Sequence, residues 1–293
     1  MTSIYVVGSL SIDLVVSTNK VPSKGETVLG ESFFTTPGGK GANQAVAAAR
    51  LGDDVYMVGR IGDDDFGNQI FTNLEDNHVL TTFLKPVTQS ASGTAHITLS
   101  DNDNSIIVVP SANNYVTSDY ALEALSQAQA GDIVLIQQEI PAETVRDVVL
   151  YCDEHDMISI LNPAPFREVE ADVIDKATYI TPNETESNAM FQTDIDKALE
   201  RYPNKLIITL GDKGAMYHNG TEKVQIDGFK REVKDTTGAG DTFNGVFAVG
   251  LQKGYSIAQA LKLANLAASH SVTGMGAQGG MPTFSEIAGE LDV

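Results

Sequence analysis

Short runs of β-branched residues alternate with Ala-rich amphipathic segments along most of this chain. The first predicted strand is Tyr5–Val7 and the first predicted helix is Gly41–Leu51. The alternation continues through Val55–Gly59, Phe66–Asn77, Ile133–Gln137, Ala142–His155, Ile158–Leu161, Leu206–Leu210, Thr242–Lys253 and Ile257–Ser271. Strands that take turns with helices are typical of a mostly parallel sheet covered on both faces. The sequence therefore predicts a three-layer αβα fold, with ligands at the carboxyl ends of the strands.

Two segments interrupt this rhythm. Leu10–Pro37 is rich in Val, Thr and Gly, and in Gly93–Pro110 the runs AHITLS and SIIVVP flank the turn-like DNDN. Both segments favour hairpins, because they alternate with period two and contain no helix. We therefore predict a small antiparallel β lid of residues 10–37 and 93–110, inserted into a main α/β domain of residues 1–9, 38–92 and 111–293.

The charge balance narrows the possible partners. The 293 residues carry 19 Lys and Arg against 39 Asp and Glu, a formal net charge of −20. This sign repels nucleic-acid backbones and anionic membrane surfaces, so neither is an expected partner. An anionic substrate would need a local positive field from backbone N–H groups, helix ends, a metal or a few lysines. The acidic cluster Asp63–Asp65 is interpreted as solvated surface.

Cysteine content and the N-terminus indicate the compartment. Cys152 is the single cysteine, which excludes an intramolecular disulfide framework and a Cys-rich zinc site and fits a reducing environment. The N-terminus lacks the pattern of a signal peptide, and no run approaches the ~20 apolar residues of a membrane span. We therefore expect a cytoplasmic protein.

The first glycine-rich motif is GGKGANQA, residues 38–45, which leads into an Ala-rich helix. Its glycines suit a backbone that approaches a ligand closely or adopts a positive φ, and the motif is not a Walker A loop. A glycine turn that caps the helix would also explain the glycines. Lys40 and Asn43 add donors suited to hydroxyl groups, which favours a ligand site.

The second motif is DTTGAGDTFNG, residues 235–245. The small residues Gly238, Ala239 and Gly240 leave N–H groups free at a helix start, which makes an anion cradle. An N-cap role would explain Asp241 but not the glycines. A carboxylate beside such a cradle suits phosphoryl transfer to a hydroxyl group. Because the helix dipole would keep Asp241 ionised and weakly basic, we expect it mainly to orient the nucleophile.

The two motifs resemble the signature segments of the ribokinase-like (PfkB) carbohydrate kinase family. Further matches follow in the family's order over essentially the whole chain: Asp13 in GSLSID, Glu139 in QQEIP, Asn162–Pro165, Thr181–Glu184 and Thr209–Gly214. The resemblance implies an ATP-dependent sugar kinase and favours the 5-hydroxyl of D-ribose as acceptor. Deoxyribose, another furanose, fructose or a nucleoside is the alternative substrate. A sugar sensor that kept the fold and lost catalysis is the alternative from a different class.

The resemblance also implies roles for matching positions. Asp241 is the implied catalytic base, and the implied anion hole is Gly238, Ala239 and Gly240. The implied sugar-binding residues are Ser11, Asp13, Gly39, Lys40, Gly41, Ala42, Asn43, Glu139 and Asp241. The implied ATP-binding residues are Asn183, Glu186, Thr209, Leu210, Gly211, Asp212, Lys213, Gly214, Gly240, Asp241 and Asn265. Glu186 is further implied to influence Mg²⁺ through water.

A monovalent cation, K⁺, is implied beside the anion hole. The matching ligands are the Asp235 side chain and the backbone of Thr237, Ser271, Gly274, Gly276 and Gly280. The crowded glycines suit a cage of backbone carbonyls, and a flexible glycine loop is the alternative. Gly280 departs from relatives that carry Ser. Ser11 departs from the Asn frequent in ribose-specific relatives, which weakens the ribose assignment more than the kinase assignment.

Two expectations concern surfaces. The exposed face of the β lid is expected to pair with a second copy of the chain, which would give a homodimer. His96 on a lid strand is interpreted as a surface residue, and His270 on the last long helix as a packed or half-exposed residue; neither is an expected ligand.

Overall fold

The computed structural model describes residues 2–52, 54–100 and 103–290. The strands are β1 (Ile4–Val7), β2 (Ser11–Thr18), β3 (Gly30–Gly38), β4 (Val55–Gly62), β5 (Leu84–Val87), β6 (Gly93–Ser100), β7 (Asp103–Val109), β8 (Ile133–Ile136), β9 (Ile158–Leu161), β10 (Tyr179–Ile180), β11 (Ile207–Thr209), β12 (Ala215–His218) and β13 (Lys223–Ile226). The helices are α1 (Lys40–Ala49), α2 (Asp65–Asp76), α3 (Ser118–Leu125), α4 (Ala142–Glu154), α5 (Ala171–Lys176), α6 (Glu184–Phe191), α7 (Ile195–Arg201), α8 (Ala239–Gln252), α9 (Ile257–Ser271), α10 (Gly276–Gly279) and α11 (Phe284–Ile287).

Six strands form the parallel central sheet, in the order β10-β9-β8-β1-β4-β5. β1 lies between β4 and β8, with Ile4 opposite both Val55 and Ile133. The chain builds outward from β1 on one side and then on the other, so the strand order reverses there. The loops that follow β1 and β8 therefore meet at one edge of the sheet. The predicted parallel α/β core is confirmed.

The side chains of the central strands alternate between two cores. Ile4 and Val6 pack with α1, α8 and α9. Tyr5 and Val7 belong to the opposite core, with α3 and α4. Because both faces are covered, the strands are continuous apolar runs such as IYVV and IVLI. Burial of each large apolar side chain contributes about 1.5–3 kcal/mol to the stability of the fold. The sheet edge that carries the loops is therefore held firmly.

A second sheet of four strands has the order β3-β2-β6-β7. β2 with β3 and β6 with β7 form the two predicted antiparallel hairpins. The hairpins join through a parallel pair, β2 with β6, in which Ser11 lies opposite Gly93. This parallel pair arises because β2 follows β1 and β6 follows β5, so both leave the carboxyl edge of the central sheet in the same direction.

The sequence analysis did not predict a third sheet, the antiparallel β11-β12-β13. Bridges between Ile180 and Leu206 and between Asn183 and Thr209 place it beside β10. The third sheet therefore extends the carboxyl edge of the central sheet beyond β10. Among the residues that the structure describes, no helix is long and apolar enough to cross a membrane.

Candidate active site

The helix α8 starts three residues before the predicted Thr242, at Ala239, with Gly238 as its N-cap. Gly238 has a φ of 78°, and a Cβ there would come within 2.4 Å of the carbonyl oxygen of Ala277. Only glycine fits this turn. Asp241 is therefore the third residue of the helix and not its N-cap, and its side chain is buried.

Both carboxylate oxygens of Asp241 accept hydrogen bonds from α1. Asn43 Nδ2 donates to Oδ2 at 3.0 Å and Gln44 Nε2 donates to Oδ1 at 3.1 Å. Gln44 also donates to Asn162 Oδ1 and accepts a 2.7 Å bond from Gln137 Nε2. The sequence analysis assigned no role to Gln44. Its signal was a long amide inside an Ala-rich helix, because a buried amide must find polar partners.

The tip of α8 presents backbone N–H groups to a cavity. The first turn of a helix leaves its N–H groups without intrahelical acceptors. Within the residues that the structure describes, Ala239 N–H makes only a long 3.3 Å bond, to the Thr236 carbonyl oxygen. A Cβ on Gly240 would meet nothing within 4 Å, so this backbone borders open space. With the positive end of the helix dipole, the turn can hold an anion.

Lys40 brings a positive charge to the same cavity. It is the first residue of α1 and is half-buried. The negative charge of Asp241 raises the pKa of the Lys40 ammonium, against the effect of burial, and Glu139 and Glu186 add to the increase. Lys40 therefore stays charged and supplies the local positive field that the net charge of the protein does not.

Asp13, on β2, lies beside the turn that precedes α1. A Cβ on Gly38 would come within 2.4 Å of Asp13 Oδ1, so glycine allows this close approach. In the described part of the chain, the Asp13 side chain has one hydrogen bond, a long 3.3 Å bond from Ser11 Oγ. Burial raises the pKa of Asp13 to about 6; Ser11 opposes this change, and the charges of Glu139 and Asp241 add to it.

Glu139, which follows β8, connects the strand ends to α1. Its Oε2 accepts a 2.5 Å bond from Ser9 Oγ and a 3.0 Å bond from the Lys40 N–H group. Gly41 and Ala42 contact the same loop through their backbone: Ala42 N–H donates to the Ser9 carbonyl oxygen at 2.9 Å, and a Cβ on Gly41 would come within 2.6 Å of Ser9. The structure thus brings the implied sugar-binding residues together around the N-terminus of α1.

A cavity of about 650 Å³ opens on the other side of Asp241. The residues expected to bind ATP that line it are Asn183, Glu186, Thr209, Gly211, Asp212, Gly214, Gly240, Asp241 and Asn265. Leu210 is instead buried in the core, and Lys213 is exposed beside the cavity wall. Lys40 and Asp241 are shared between this cavity and the sugar-side cluster, so the two halves of the site meet at these side chains.

The model of the pfkB family carbohydrate kinase matches residues 1–284. The chain belongs to this family. It is 56% identical to a ribokinase of Bacillus subtilis (strain 168) over 98% of both chains. It is also 45% identical to a ribokinase of Lactococcus lactis over 99% of this chain and 97% of the relative.

The fold also matches that of solved family members. The structure of Arabidopsis thaliana ribokinase complexed with ribose and ATP has a TM-score of 0.90 and 32% identity to this chain, and the match covers 100% of both chains. The three-layer α/β fold and the membership in an ATP-dependent kinase family are thus shown by independent comparisons.

The sequence analysis missed one wall of the carbohydrate kinase's cavity. The lining residues are Phe229–Arg231 and Val233, from the loop before α8, Ala268 on α9, and Val272 at the C-cap of α9. These residues form no motif, so composition gave no signal. Asn265, which was expected here, donates to the carbonyl oxygens of Ile226 and Asp227 at 2.9 and 3.2 Å and so holds the start of that loop.

Glu186 has a structural role as well as a position on the cavity wall. Asn183 is the N-cap of α6, and its Oδ1 accepts the Glu186 N–H group at 2.8 Å. In return Glu186 Oε2 accepts the Asn183 N–H group at 2.9 Å. This capping box leaves the second carboxylate oxygen of Glu186 available. Burial raises the pKa of Glu186, while the bond from Asn183 and the charge of Lys40 oppose the increase.

The residues implied to hold K⁺ lie together in this kinase. Asp235 accepts the Thr237 N–H group at 2.9 Å and the Gly276 N–H group at 2.8 Å. A Cβ on Gly280 would come within 2.0 Å of the Ser271 carbonyl oxygen, so this conformation excludes a side chain at this position. Within residues 2–52, 54–100 and 103–290, no three His, Cys, Asp or Glu side chains cluster as metal ligands. The implied set combines the single carboxylate of Asp235 with backbone oxygens.

Proposed function

We propose that this protein is an ATP-dependent ribokinase, which transfers the γ-phosphoryl group of ATP to the 5-hydroxyl of D-ribose. The observation that carries the proposal is the position of Asp241. Its carboxylate contacts Asn43 on the sugar side and lines the cavity beside the N–H groups of the α8 tip. An acceptor hydroxyl and a phosphoryl group can therefore meet at one carboxylate. The named relatives, which are ribokinases, support ribose as the substrate.

The proposed reaction uses the two sides of Asp241 together. The carboxylate orients the 5-hydroxyl and accepts its proton as the new O–P bond forms, and the bond from the γ-phosphorus to the ADP oxygen breaks. The N–H groups of Gly238, Ala239 and Gly240 stabilise the charge on the transferred group. Lys40 adds a second source of positive charge on the cavity wall.

The proposed ribose site lies around the N-terminus of α1. Asp13 has unfilled acceptor positions that suit sugar hydroxyl donors, and Asn43 has one amide hydrogen beyond the one that it gives to Asp241. Glu139 already holds Ser9 and Lys40, so its proposed contribution is one remaining oxygen. Gly39, with a φ of 89°, lets the backbone approach the ligand closely.

Mg²⁺ is proposed as the cation that accompanies ATP. The free oxygen of Glu186 and its position on the cavity wall fit a water-mediated contact with a hard cation that prefers oxygen ligands. When bound, Mg²⁺ would offset the charge of the nucleotide phosphates.

K⁺ is proposed at the Asp235 loop. Although burial raises the pKa of this carboxyl, hydrogen bonds from Thr237 and Gly276 lower it overall, so the carboxylate is ionised near a set of backbone carbonyls. Oxygen donors around one carboxylate suit a monovalent cation. Rates are expected to be higher in K⁺ than in Na⁺ or Cs⁺ at matched ionic strength, and equal rates in the three salts would remove the proposal.

A homodimer through the four-stranded sheet is also proposed. Its two outer strands carry exposed apolar side chains, with Phe33 64% and Ile107 68% exposed. Exposed apolar edge strands invite pairing with another chain, and a second copy would cover them. Light scattering after size exclusion should give the dimer mass. Ile107→Lys should give the monomer mass, whereas Phe166→Lys, an exposed site outside this sheet, should not change the mass.

A substrate panel tests the proposed function. ADP release is measured with D-ribose, 2-deoxyribose, fructose and a nucleoside, in the presence of ATP and Mg²⁺, and the substrates are compared by kcat/KM. Ribose should give the highest value. A preference for another acceptor would overturn the ribose assignment, and binding of ribose and ATP without turnover would favour a sensor.

Localisation in the cytoplasm remains a prediction.

A further inference from the structure

A chain of side-chain amides runs away from Asp241 into the loop that carries the proposed K⁺ ligands. Asn43, whose Nδ2 donates to Asp241, receives a 2.9 Å bond on its Oδ1 from Gln278 Nε2. Gln278 in turn receives a 3.0 Å bond on its Oε1 from Asn73 Nδ2. Gln278 belongs to α10 and is buried. It is therefore held from both sides, and neither the sequence motifs nor the proposed reaction gives it a role.

The chain continues from Asn73 to a guanidinium group. Asn77 Nδ2 donates to the Asn73 carbonyl oxygen at 2.7 Å and, at a long 3.4 Å, to Asn73 Oδ1. Arg50 Nε donates to Asn77 Oδ1 at 2.8 Å. Arg50 Nη1 also donates to the carbonyl oxygens of Gln278 and Met281, at 2.9 and 2.6 Å. Arg50 thus holds the backbone of the loop as well as the far end of the chain.

The two ends of this chain fix the direction of every amide in it. A guanidinium can only donate hydrogen bonds, and an ionised carboxylate can only accept them. Asn43 must therefore turn its NH₂ group towards Asp241 and its oxygen towards Gln278. Gln278 must then turn its NH₂ group towards Asn43. Reversing Gln278 alone would place two oxygens together on one side and two NH₂ groups together on the other.

We infer that Gln278 is a positioning residue of the acceptor site: it fixes the amide of Asn43 and, through Asn43, the Oδ2 atom of Asp241. The inference rests on the proposed function, because that function gives Asp241 its role. A buried series of hydrogen-bonded amides that has only one favourable orientation restricts each side chain more than separate hydrogen bonds would. Since Gln278 lies between Gly276 and Gly280, movement of the proposed cation loop would be transmitted to Asp241 along this path.

Two substitutions separate polarity from packing. Gln278→Glu keeps the size of the side chain but turns an acceptor towards the Asn43 oxygen. Gln278→Met removes the donor without adding a charge. If polarity positions Asn43, Met should lower kcat roughly tenfold and Glu roughly a hundredfold, because misplacement of a reacting group by about 1 Å has effects of this size. If Gln278 only fills space, Glu should be the milder change.

The KM for ATP should change little in both variants, because Gln278 does not line the nucleotide cavity. Gln259→Glu is the matched control. Its Oε1 accepts the Ser256 N–H group at the start of α9, and a carboxylate can do the same. This control should keep wild-type kcat and KM.

A double-mutant cycle with Asn43→Ala tests the path itself. If Gln278 acts through Asn43, Gln278→Met should lower kcat in the wild-type background and add little in the Asn43→Ala background. An equal loss in both backgrounds, or a milder effect of Glu than of Met, would overturn the inference.

The same cycle is followed by urea unfolding without substrates. Gln278→Met should lower the urea midpoint less in the Asn43→Ala background than in the wild-type background. Equal shifts in the two backgrounds would show that the hydrogen bond between Gln278 and Asn43 does not contribute to stability. An inactive wild-type protein would overturn the proposed function and with it the role in the acceptor site, whereas equal shifts in the unfolding cycle of an active protein would overturn only the path through Asn43.

Discussion

Two carboxylates of the site, those of Asp13 and Asp241, have very different hydrogen-bonding surroundings. Asp13 and Asp241 are buried to the same degree, 8% and 7% exposed. Asp241 accepts one amide bond on each oxygen, from Asn43 and Gln44. Asp13 accepts one long bond from Ser11, and burial raises its pKa to about 6. Burial is equal, so the two carboxylates differ in the number of hydrogen bonds that they accept.

Because of this difference, the two carboxylates suit different roles. A buried carboxylate that lacks donors destabilises the free protein and gains when a ligand brings hydroxyl donors. A carboxylate with both oxygens held is already oriented and gains less from a ligand, but it can direct an acceptor hydroxyl towards the phosphoryl group. Asp13 therefore suits binding and Asp241 suits alignment.

The largest effect is expected for Asp241→Asn. An amide cannot accept the hydroxyl proton, and its NH₂ group would face the NH₂ group of Asn43 or of Gln44. We expect kcat for ribose to fall by about 10²- to 10⁴-fold, the range typical of a lost general base. Coupled ADP release measures this loss, and a thermal melt checks that the variant is folded. A kcat near the wild-type value would remove Asp241 from the reaction.

Asp13→Asn should have opposite effects on binding and on stability. We expect kcat/KM for ribose to fall roughly a hundredfold, because a site built to accept hydroxyl hydrogen bonds loses its acceptor. The folded pKa of about 6 lies above the ordinary 3.8, so ionisation is less favourable in the native state than in the unfolded state. Two pKa units correspond to about 3 kcal/mol, and the neutral variant should gain roughly 1–3 kcal/mol of unfolding free energy at pH 8.

Urea unfolding at two pH values provides the control for this gain. At pH 3.5, below both the ordinary pKa of 3.8 and the folded value of about 6, the wild-type carboxyl is mostly protonated in the folded and the unfolded state, so the variant should have little advantage there. The advantage should develop as the pH rises from about 4 to above 6. A variant that is less stable than the wild type at pH 8 would show that Asp13 is satisfied in the free protein.

The sequence predicts the α/β core and both glycine motifs, because hydrophobic periodicity and glycine clusters are local signals. It placed the start of α8 too late, since Gly238 and Gly240 have low helix propensity and packing against Ala277 overrides it. It also missed Gln44 and Gln278. Their roles depend on partners about 200 residues or more away in the chain, which no local pattern reveals.

The pH dependence of ribose use should follow Asp13. As the pH falls through about 6, Asp13 gains a proton and loses its acceptor capacity, so kcat/KM for ribose should fall up to tenfold for each pH unit below 6. Initial rates in a constant-ionic-strength buffer series measure the profile. The Asp13→Asn variant should not show this step, and a step of equal size in that variant would assign it to another group.

The smallest expected effect is that of Ser11→Ala. Ser11 Oγ donates to Asp13 Oδ1 at 3.3 Å and thereby lowers the pKa that burial raises. Without this donor the midpoint of the ribose profile should move to higher pH. Since a single long hydrogen bond contributes about 0.5–1 kcal/mol, kcat/KM should fall roughly two- to fivefold at pH 6 and less at pH 9. An equal loss at the two pH values would mean that Ser11 acts by contacting the sugar directly and not through the pKa of Asp13.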